Sequence, residues 1–166
     1  MNETRWAELE AREAIRDQLH AYCRSMDRCD HALGYAVWHH DGTADYGDVY
    51  RGSGRGFVDQ TCKSHLRLEA HSHQVTSVGI TVRGARAVSE AYVTAALRFR
   101  DADGAQVTVI RGRYVDTWSR REGRWAIDHR AYLHDFDQVV RVDDERMTGV
   151  GRRDRDDPSY AVLESL

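Results

Sequence analysis

The chain has 166 residues, the length of one ordinary domain with enough residues for a hydrophobic core. Hydrophobic residues make up 41% and charged residues 31%, which is typical of a soluble globular protein, and a formal net charge of −3 excludes a general attraction to nucleic acid. No apolar run approaches the roughly 20 residues that a membrane-spanning helix needs.

The first third of the sequence has the pattern of helices. Apolar residues recur at helical spacing over residues 6–26, with charged residues on the other face, and predict one long helix. A second, shorter helix is predicted over residues 31–38. Glycines then bound two short segments, 43–46 and 49–51, which predict two small strands in a hairpin. A further helix is predicted over residues 57–68.

Four runs typical of β-strands follow, over residues 74–82, 87–99, 106–118 and 125–133. The separators between them are short and polar, and each contains one glycine, which is typical of hairpin turns. Helices followed by long antiparallel strands predict an α+β fold: one strongly curved, mostly antiparallel sheet that forms a cone-shaped barrel packed with the N-terminal helices. Such a cone provides a place for a small ligand.

These elements lie within residues 1–137, which we predict to form the domain. Residues 138–166 are predicted to be a charged C-terminal tail, because charges of both signs alternate over residues 141–157. The sequence is compatible with a disordered tail and with a tail that folds over a neighbouring subunit. Its apolar stretch, residues 160–163, is expected to dock against another surface.

The cysteines and the N-terminus indicate a cellular compartment. Cys23, Cys29 and Cys62 are too few for a disulfide framework and lack the spacing of a zinc site. The first residues are polar and do not resemble a secretory signal. We therefore expect reduced thiols and a cytoplasmic protein.

The nine histidines do not form a metal-binding motif. His71 and His73 would point to the same side of an extended strand, because side chains alternate along it. No carboxylate lies beside them at ligand spacing, so we predict no metal site.

Two distant segments carry the sharper chemical signal. Tyr22 and Asp27, near the end of the long helix, flank its apolar stripe on opposite sides, and His73 opens the long strands. A carboxylate beside the core is costly to bury unpaired, so Asp27 either reaches water or has a partner. A histidine is a natural partner, because the carboxylate binds one ring N–H and leaves the other nitrogen as a base. Spacing alone leaves both alternatives open.

The order of several short motifs resembles the SnoaL-like group of the nuclear transport factor 2-like superfamily, over about residues 8–137. The motifs that carry the resemblance are Tyr22-x4-Asp27, Asp41 to Gly47, His73-x3-Ser77, Gly84 with Ala87, Arg113 to Asp116, and Gly123 to Ile127 leading to Arg130. The resemblance implies a cone with a cavity between the sheet and the helices. It also implies an Asp–His dyad at Asp27 and His73, a pocket tyrosine at Tyr22 and a cavity arginine at Arg130.

The resemblance also suggests a reaction. We expect a cofactor-independent, dehydratase-like lyase in which His73 removes a proton from carbon and Asp27 fixes the tautomer of the ring. Tyr22 would bind the carbonyl or the leaving hydroxyl of a small hydrophobic, cyclic or aromatic substrate, and Arg130 would offset negative charge. Further side chains expected at the substrate are those of Trp38, Tyr46, Tyr50, Tyr92 and His134.

Other functions share these residues. Isomerases of the ketosteroid type and polyketide cyclases begin with the same proton abstraction, and the fold does not distinguish them. A non-catalytic small-molecule-binding protein and a dioxygenase small subunit are further alternatives. The apolar outer face of the sheet predicts a homo-oligomer, a trimer ahead of a dimer. Neither nucleic acid nor a membrane is an expected partner.

Overall fold

The structure, a computed structural model, describes residues 3–102, 104–143, 149 and 151–165. The elements in these residues are α1 (Glu3–Arg28), α2 (His31–Ala36), β1 (Trp38–Asp45), β2 (Arg51–Ser53), α3 (Gly54–His65), β3 (Ala70–Arg83), β4 (Arg86–Asp101), β5 (Gly104–Arg121), β6 (Arg124–Arg141) and α4 (Pro158–Leu163). The predicted α+β class is confirmed. Residues 144–148, 150 and 166 of the predicted tail lie outside the described residues. No helix among the described residues is long and apolar enough to cross a membrane.

The strands form one six-stranded, strongly curved sheet in the order β2-β1-β6-β5-β4-β3. Neighbouring strands are antiparallel except β1 and β6, which pair in parallel. Register shifts interrupt β3 between Thr76 and Gly79 and the β5–β6 ladder at two places, and such bulges bend strands. The sheet does not close, so the predicted cone is an open one with β2 and β3 at its edges.

The second helix is shorter than its predicted span. α2 ends at Ala36, and Trp38 is already the first residue of β1. The backbone N–H of Ile127 donates to the carbonyl of Val37 at 3.0 Å, and Trp38 lies opposite Ile127 in the parallel pair. Pairing with a strand almost ninety residues away therefore overrides the local helical pattern.

The core lies between the inner face of the sheet and the apolar stripe of α1. Ile15, Leu19 and Met26 of that stripe are buried, whereas Trp6 and Leu9 at its start are about half exposed. In β4 every second residue over 87–93 is buried, which fixes the inner face of the strand. The other face carries exposed apolar side chains, among them Val88, Tyr92, Val115 and Leu133. Self-association through this face stays a prediction.

The described part of the C-terminal segment packs against the end of α1. Arg28 donates to the carboxylate of Asp157 at 2.7 Å, and both side chains are largely buried. The hydroxyl of Tyr160, in α4, donates to Asp30 at 2.6 Å. The apolar stretch predicted to dock therefore begins with a buried tyrosine that is bonded to Asp30, the N-cap residue of α2.

Substitution of Gly54, the first residue of α3, tests how tightly this helix packs on β1. A Cβ built on Gly54 would lie 2.0 Å from the indole of Trp38, which is completely buried and cannot move aside freely. We expect Gly54→Ala to lower the free energy of unfolding by about 1–3 kcal/mol, measured by urea denaturation. Gly79→Ala is the control, because the nearest atom to a Cβ there is 3.9 Å away. Equal losses in the two variants would contradict this packing.

Candidate active site

A cavity of about 460 Å³ lies inside the cone, between the sheet and the helices α1 and α3. This volume lies within the range of small-molecule sites, roughly 300–1,000 Å³. The walls are mainly apolar, with contributions from Met26, Phe57, Leu68, Val93, Ala95, Leu97 and Ile110. The ionisable side chains in the walls are tyrosines and the two histidines His65 and His73.

Asp27 and His73, separated by 46 positions in the chain, are in contact, and His73 lines this cavity. The distance from Oδ1 of Asp27 to Nδ1 of His73 is 2.7 Å. The same carboxylate accepts the backbone N–H of His73, at 3.0 Å to Oδ1 and 3.1 Å to Oδ2. The side chains of Asp27 and His73 are 16% and 8% exposed. The structure thus brings together the two groups that the sequence pairs.

These contacts define the hydrogen positions on the His73 ring. An ionised carboxylate only accepts hydrogen bonds, so Nδ1 of His73 carries a hydrogen that it donates to Asp27. Nε2 has no hydrogen-bond partner among the described residues. Because His73 lines the cavity, Nε2 is the ring nitrogen that a ligand there can reach.

Two tyrosine hydroxyls form a second polar group in the cavity wall. The hydroxyl oxygens of Tyr22 and Tyr46 are 2.8 Å apart, and both residues are buried. Burial raises the pKa of each tyrosine well above its ordinary value, so both hydroxyls are neutral. In such a pair one hydroxyl donates to the other, and the accepting hydroxyl keeps its own hydrogen for a ligand.

Arg130 lies behind the tyrosines and not in the cavity wall. Its side chain is completely buried and binds Asp116 through two hydrogen bonds of 2.7 and 2.8 Å. Its guanidinium also lies 4.2 Å from the ring centre of Tyr22 and 3.9 Å from that of Tyr114. Burial opposes the charge, but Asp116 holds the pKa of Arg130 well above its ordinary value. Arg130 therefore does not lie where it could contact a substrate in the cavity, although the sequence led us to expect this contact. It packs against the rings of Tyr22 and Tyr114 and supports them from behind.

Four other residues expected at the substrate do not line the cavity. Trp38 is completely buried in the core, and Tyr50 lies outside the cavity wall. Tyr92 is on the outer face of the sheet, because its neighbour Val93 points inward and side chains alternate along a strand. His134 is exposed beyond the cavity.

The helix α3 supplies a set of cavity residues that the sequence interpretation missed. These residues recur at helical spacing and are Phe57, Gln60, Thr61, Ser64 and His65. Their spacing of three and four places them on one face of the helix. The signal was therefore present in the sequence as a mixed polar and apolar stripe. Two inward-facing strand tyrosines, Tyr114 and Tyr132, were also missed.

His65, His71 and His73 lie close together without forming a metal site. The ring centre of His65 is 4.4 Å from that of His71 and 5.4 Å from that of His73. Among the described residues, no group of three or more His, Cys, Asp or Glu side chains is arranged to hold a metal ion.

Stability measurements test the role of the buried ion pair. Arg130→Met leaves the carboxylate of Asp116 buried without its partner, so we expect the free energy of unfolding to fall by about 3–5 kcal/mol. Arg113→Met is the control, because Arg113 binds the carboxylates of Glu90 and Asp135 at the surface. Its loss in urea denaturation should be much smaller. Small and equal losses would show that the buried pair contributes little.

The burial of His65 makes stability depend on pH. His65 is 7% exposed, and burial together with the imidazoles of His73 and His71 lowers its pKa to about 3. In the unfolded chain a histidine has a pKa of about 6.5. Between these two values the unfolded chain binds one more proton than the folded protein, so acid favours unfolding.

We therefore expect the free energy of unfolding to decrease as the pH falls below about 6.5, by up to about 1.4 kcal/mol per pH unit from this group. His65→Leu removes the group and should flatten that part of the profile, measured by urea denaturation at a series of pH values. Replacement of the exposed His20 by Leu is the control and should leave the slope unchanged. An unchanged slope in His65→Leu would contradict the buried, neutral state.

Comparisons with known proteins identify the family and the fold of the chain. The family model of the SnoaL-like domain matches residues 7–131. No curated protein matches the chain significantly. The solved structures with a similar fold include hexachlorocyclohexane dehydrochlorinase LinA-type3 of Novosphingobium barchaimii, with 17% identity and a TM-score of 0.69 over 80% of this chain and 91% of that chain.

Two further solved structures are similar. A scytalone dehydratase-like protein of Novosphingobium aromaticivorans has 19% identity and a TM-score of 0.69, over 81% of this chain and 91% of that chain. A variant of Rv3472, a protein of unknown function from Mycobacterium tuberculosis, has 19% identity and a TM-score of 0.66, over 99% of this chain and 90% of that chain. These identities show the fold alone, whereas the family model covers most of the sequence. The chain belongs to the SnoaL-like domain family and has its nuclear transport factor 2-like fold.

Proposed function

We propose that the protein is a cofactor-independent lyase of the dehydratase type, acting on a small hydrophobic cyclic substrate. The observation that supports this most is the 2.7 Å contact between the carboxylate of Asp27 and Nδ1 of His73 at the wall of a mainly apolar cavity. A base whose second nitrogen is open to an apolar cavity suits the removal of a proton from carbon.

In this proposal Nε2 of His73 takes the proton from a carbon next to a carbonyl group. The ring becomes a cation, and its Nδ1–H bond to the carboxylate of Asp27 stabilises that charge. The backbone N–H of His73 donates to both carboxylate oxygens of Asp27, and these hydrogen bonds hold the carboxylate in place beside the ring. General base catalysis of this kind contributes about 10²–10⁴ in rate.

The tyrosine pair would stabilise the enolate that forms. The free hydrogen of the Tyr22–Tyr46 pair can be donated to the carbonyl oxygen as negative charge develops on it. Removing one such donor typically costs about 10²–10³ in rate. Both hydroxyls stay protonated because burial raises their pKa.

The elimination balances without a cofactor. The electron pair of the broken C–H bond forms the new C=C bond, and the C–O bond to the hydroxyl group breaks. The departing hydroxyl takes the proton held by His73 and leaves as water. In an isomerisation the same proton would return to another carbon, so the first step is shared.

The comparisons support this class of reaction at the level of fold. The names of two similar structures, a dehydrochlorinase and a scytalone dehydratase-like protein, describe eliminations by those proteins. This chain shares their fold and has a carboxylate–imidazole pair whose histidine lines its cavity.

Substitution of the pair tests the proposal. The probes are 3-hydroxy-1-tetralone, which loses water to give 1-naphthol, and 1-tetralone in D₂O, whose exchange of hydrogen beside the carbonyl is followed by NMR. We expect His73→Gln and Asp27→Asn to lower both rates by about 10²–10⁴, with melting temperatures that show an intact fold. His134→Gln is the control and should keep the wild-type rate, since His134 is exposed outside the cavity. Near-normal rates in His73→Gln, or wild-type rates no faster than buffer, would exclude this mechanism.

A further inference from the structure

His65 is a second imidazole in the same cavity, and the proposed reaction does not use it. It is the last residue of α3 and is 7% exposed. Its ring lies 5.4 Å from the ring of His73, centre to centre, with 27° between the two planes. The two histidines therefore form one continuous patch of the cavity wall.

The burial of the His65 ring costs free energy, and packing alone does not explain why a histidine occupies this position. Nδ1 of His65 is completely enclosed and has no hydrogen-bond partner among the described residues. The backbone carbonyl of Met26, which lies near this ring, is instead bonded to Nε2 of His71 at 3.0 Å. A buried polar group without a partner is unfavourable, and an apolar side chain of similar size would close the wall without that cost.

The second ring nitrogen of His65, Nε2, is the one that a ligand can use. It makes no hydrogen bond within the described part of the chain, and it is not enclosed in the way that Nδ1 is. A polar atom left available at the wall of an apolar cavity points to a ligand.

The surroundings of the two histidines differ in charge. His73 is bonded to the carboxylate of Asp27, whereas His65 has no carboxylate within hydrogen-bonding distance among the described residues. A proton on His73 repels a second proton on His65, because the rings are only 5.4 Å apart. His65 therefore stays neutral while His73 acts as the base. A hydrogen on Nε2 can be donated to a ligand, whereas a hydrogen on the enclosed Nδ1 would have no acceptor.

The neighbours of His65 extend this polar patch. Thr61 and Ser64 precede it on the same face of α3 and also line the cavity. The strands across the cavity contribute Val93, Ala95, Leu97 and Ile110. A flat ring bound here would have an apolar wall on the sheet side and hydrogen-bonding groups along the α3 side.

We propose that His65 is a specificity-determining residue whose Nε2–H donates to a second oxygen of a cyclic substrate. This inference rests on the proposed function for the first oxygen, which is the carbonyl bound by the Tyr22–Tyr46 pair. The substrate class is then a ring compound with at least two oxygen substituents. The second oxygen is the leaving hydroxyl, which His65 holds next to the proton on His73.

Equilibrium binding of two stable probes tests this role. The probes are 1,3-dihydroxynaphthalene, with two oxygens, and 1-naphthol, with one, and neither can undergo the elimination. We expect His65→Leu to weaken binding of the dihydroxy compound about tenfold, as for the loss of one hydrogen bond, and to leave the affinity for 1-naphthol unchanged. His65→Gln keeps an N–H donor and should retain most of the difference between the probes.

Three results would overturn the inference: equal losses for both probes, a Gln variant no better than the Leu variant, or no binding of the dihydroxy compound to the wild type at millimolar concentration. If the Leu variant does not fold, ¹⁵N NMR of the wild-type protein decides the question. The Nε2–H signal of His65 should shift with 1,3-dihydroxynaphthalene and not with 1-naphthol, and identical responses would refute the role. No proton is removed from carbon in these binding measurements. Their result therefore does not depend on whether His73 acts as a base, and the two proposals can fail separately.

Discussion

The carboxylate of Asp27 binds both the backbone and the ring of His73, and this double contact ties the last turn of α1 to the first residues of β3. The contact spans 46 positions in the chain, so it forms only when helix and sheet have packed together. It satisfies a largely buried carboxylate and at the same time fixes which ring nitrogen faces the cavity. The chemistry proposed for the protein and the junction between its two layers depend on the same few atoms of Asp27 and His73.

Much of the fold is readable from local periodicity. The stripe of α1 repeats at helical spacing, and the long strands are separated by short turns with one glycine each, so both follow from the sequence. The end of α2 is not readable in this way, because Trp38 is drawn into β1 by its parallel partner Ile127. The parallel pairing of β1 with β6 is a long-range choice that no local pattern encodes.

The candidate site also contains some residues that could be predicted from the sequence and others whose positions depend on long-range pairing. Asp27 and His73 were paired from the cost of burying a carboxylate and from the family resemblance, and they lie together. Tyr92 was misplaced because the phase of a strand, inward or outward, is set by its register with its neighbours. Arg130 was misplaced because its partner Asp116 lies directly opposite on the adjacent strand, a relation visible only once the register is known. His65 lies on the face of α3 whose helical spacing could be recognised in the sequence, but no chemical motif marked it as a site residue.

The C-terminal segment has a consequence for where this domain ends. The family match stops at residue 131, yet Arg153 donates to the backbone carbonyls of His65 and Leu68 at 2.7 Å each, and Arg28 is bonded to Asp157. The last turns of α1 and α3, which carry Asp27 and His65, are thus braced from outside the shared family core. Relatives that differ after this point can share the family core and still hold the corner that carries Asp27 and His65 with a different stiffness.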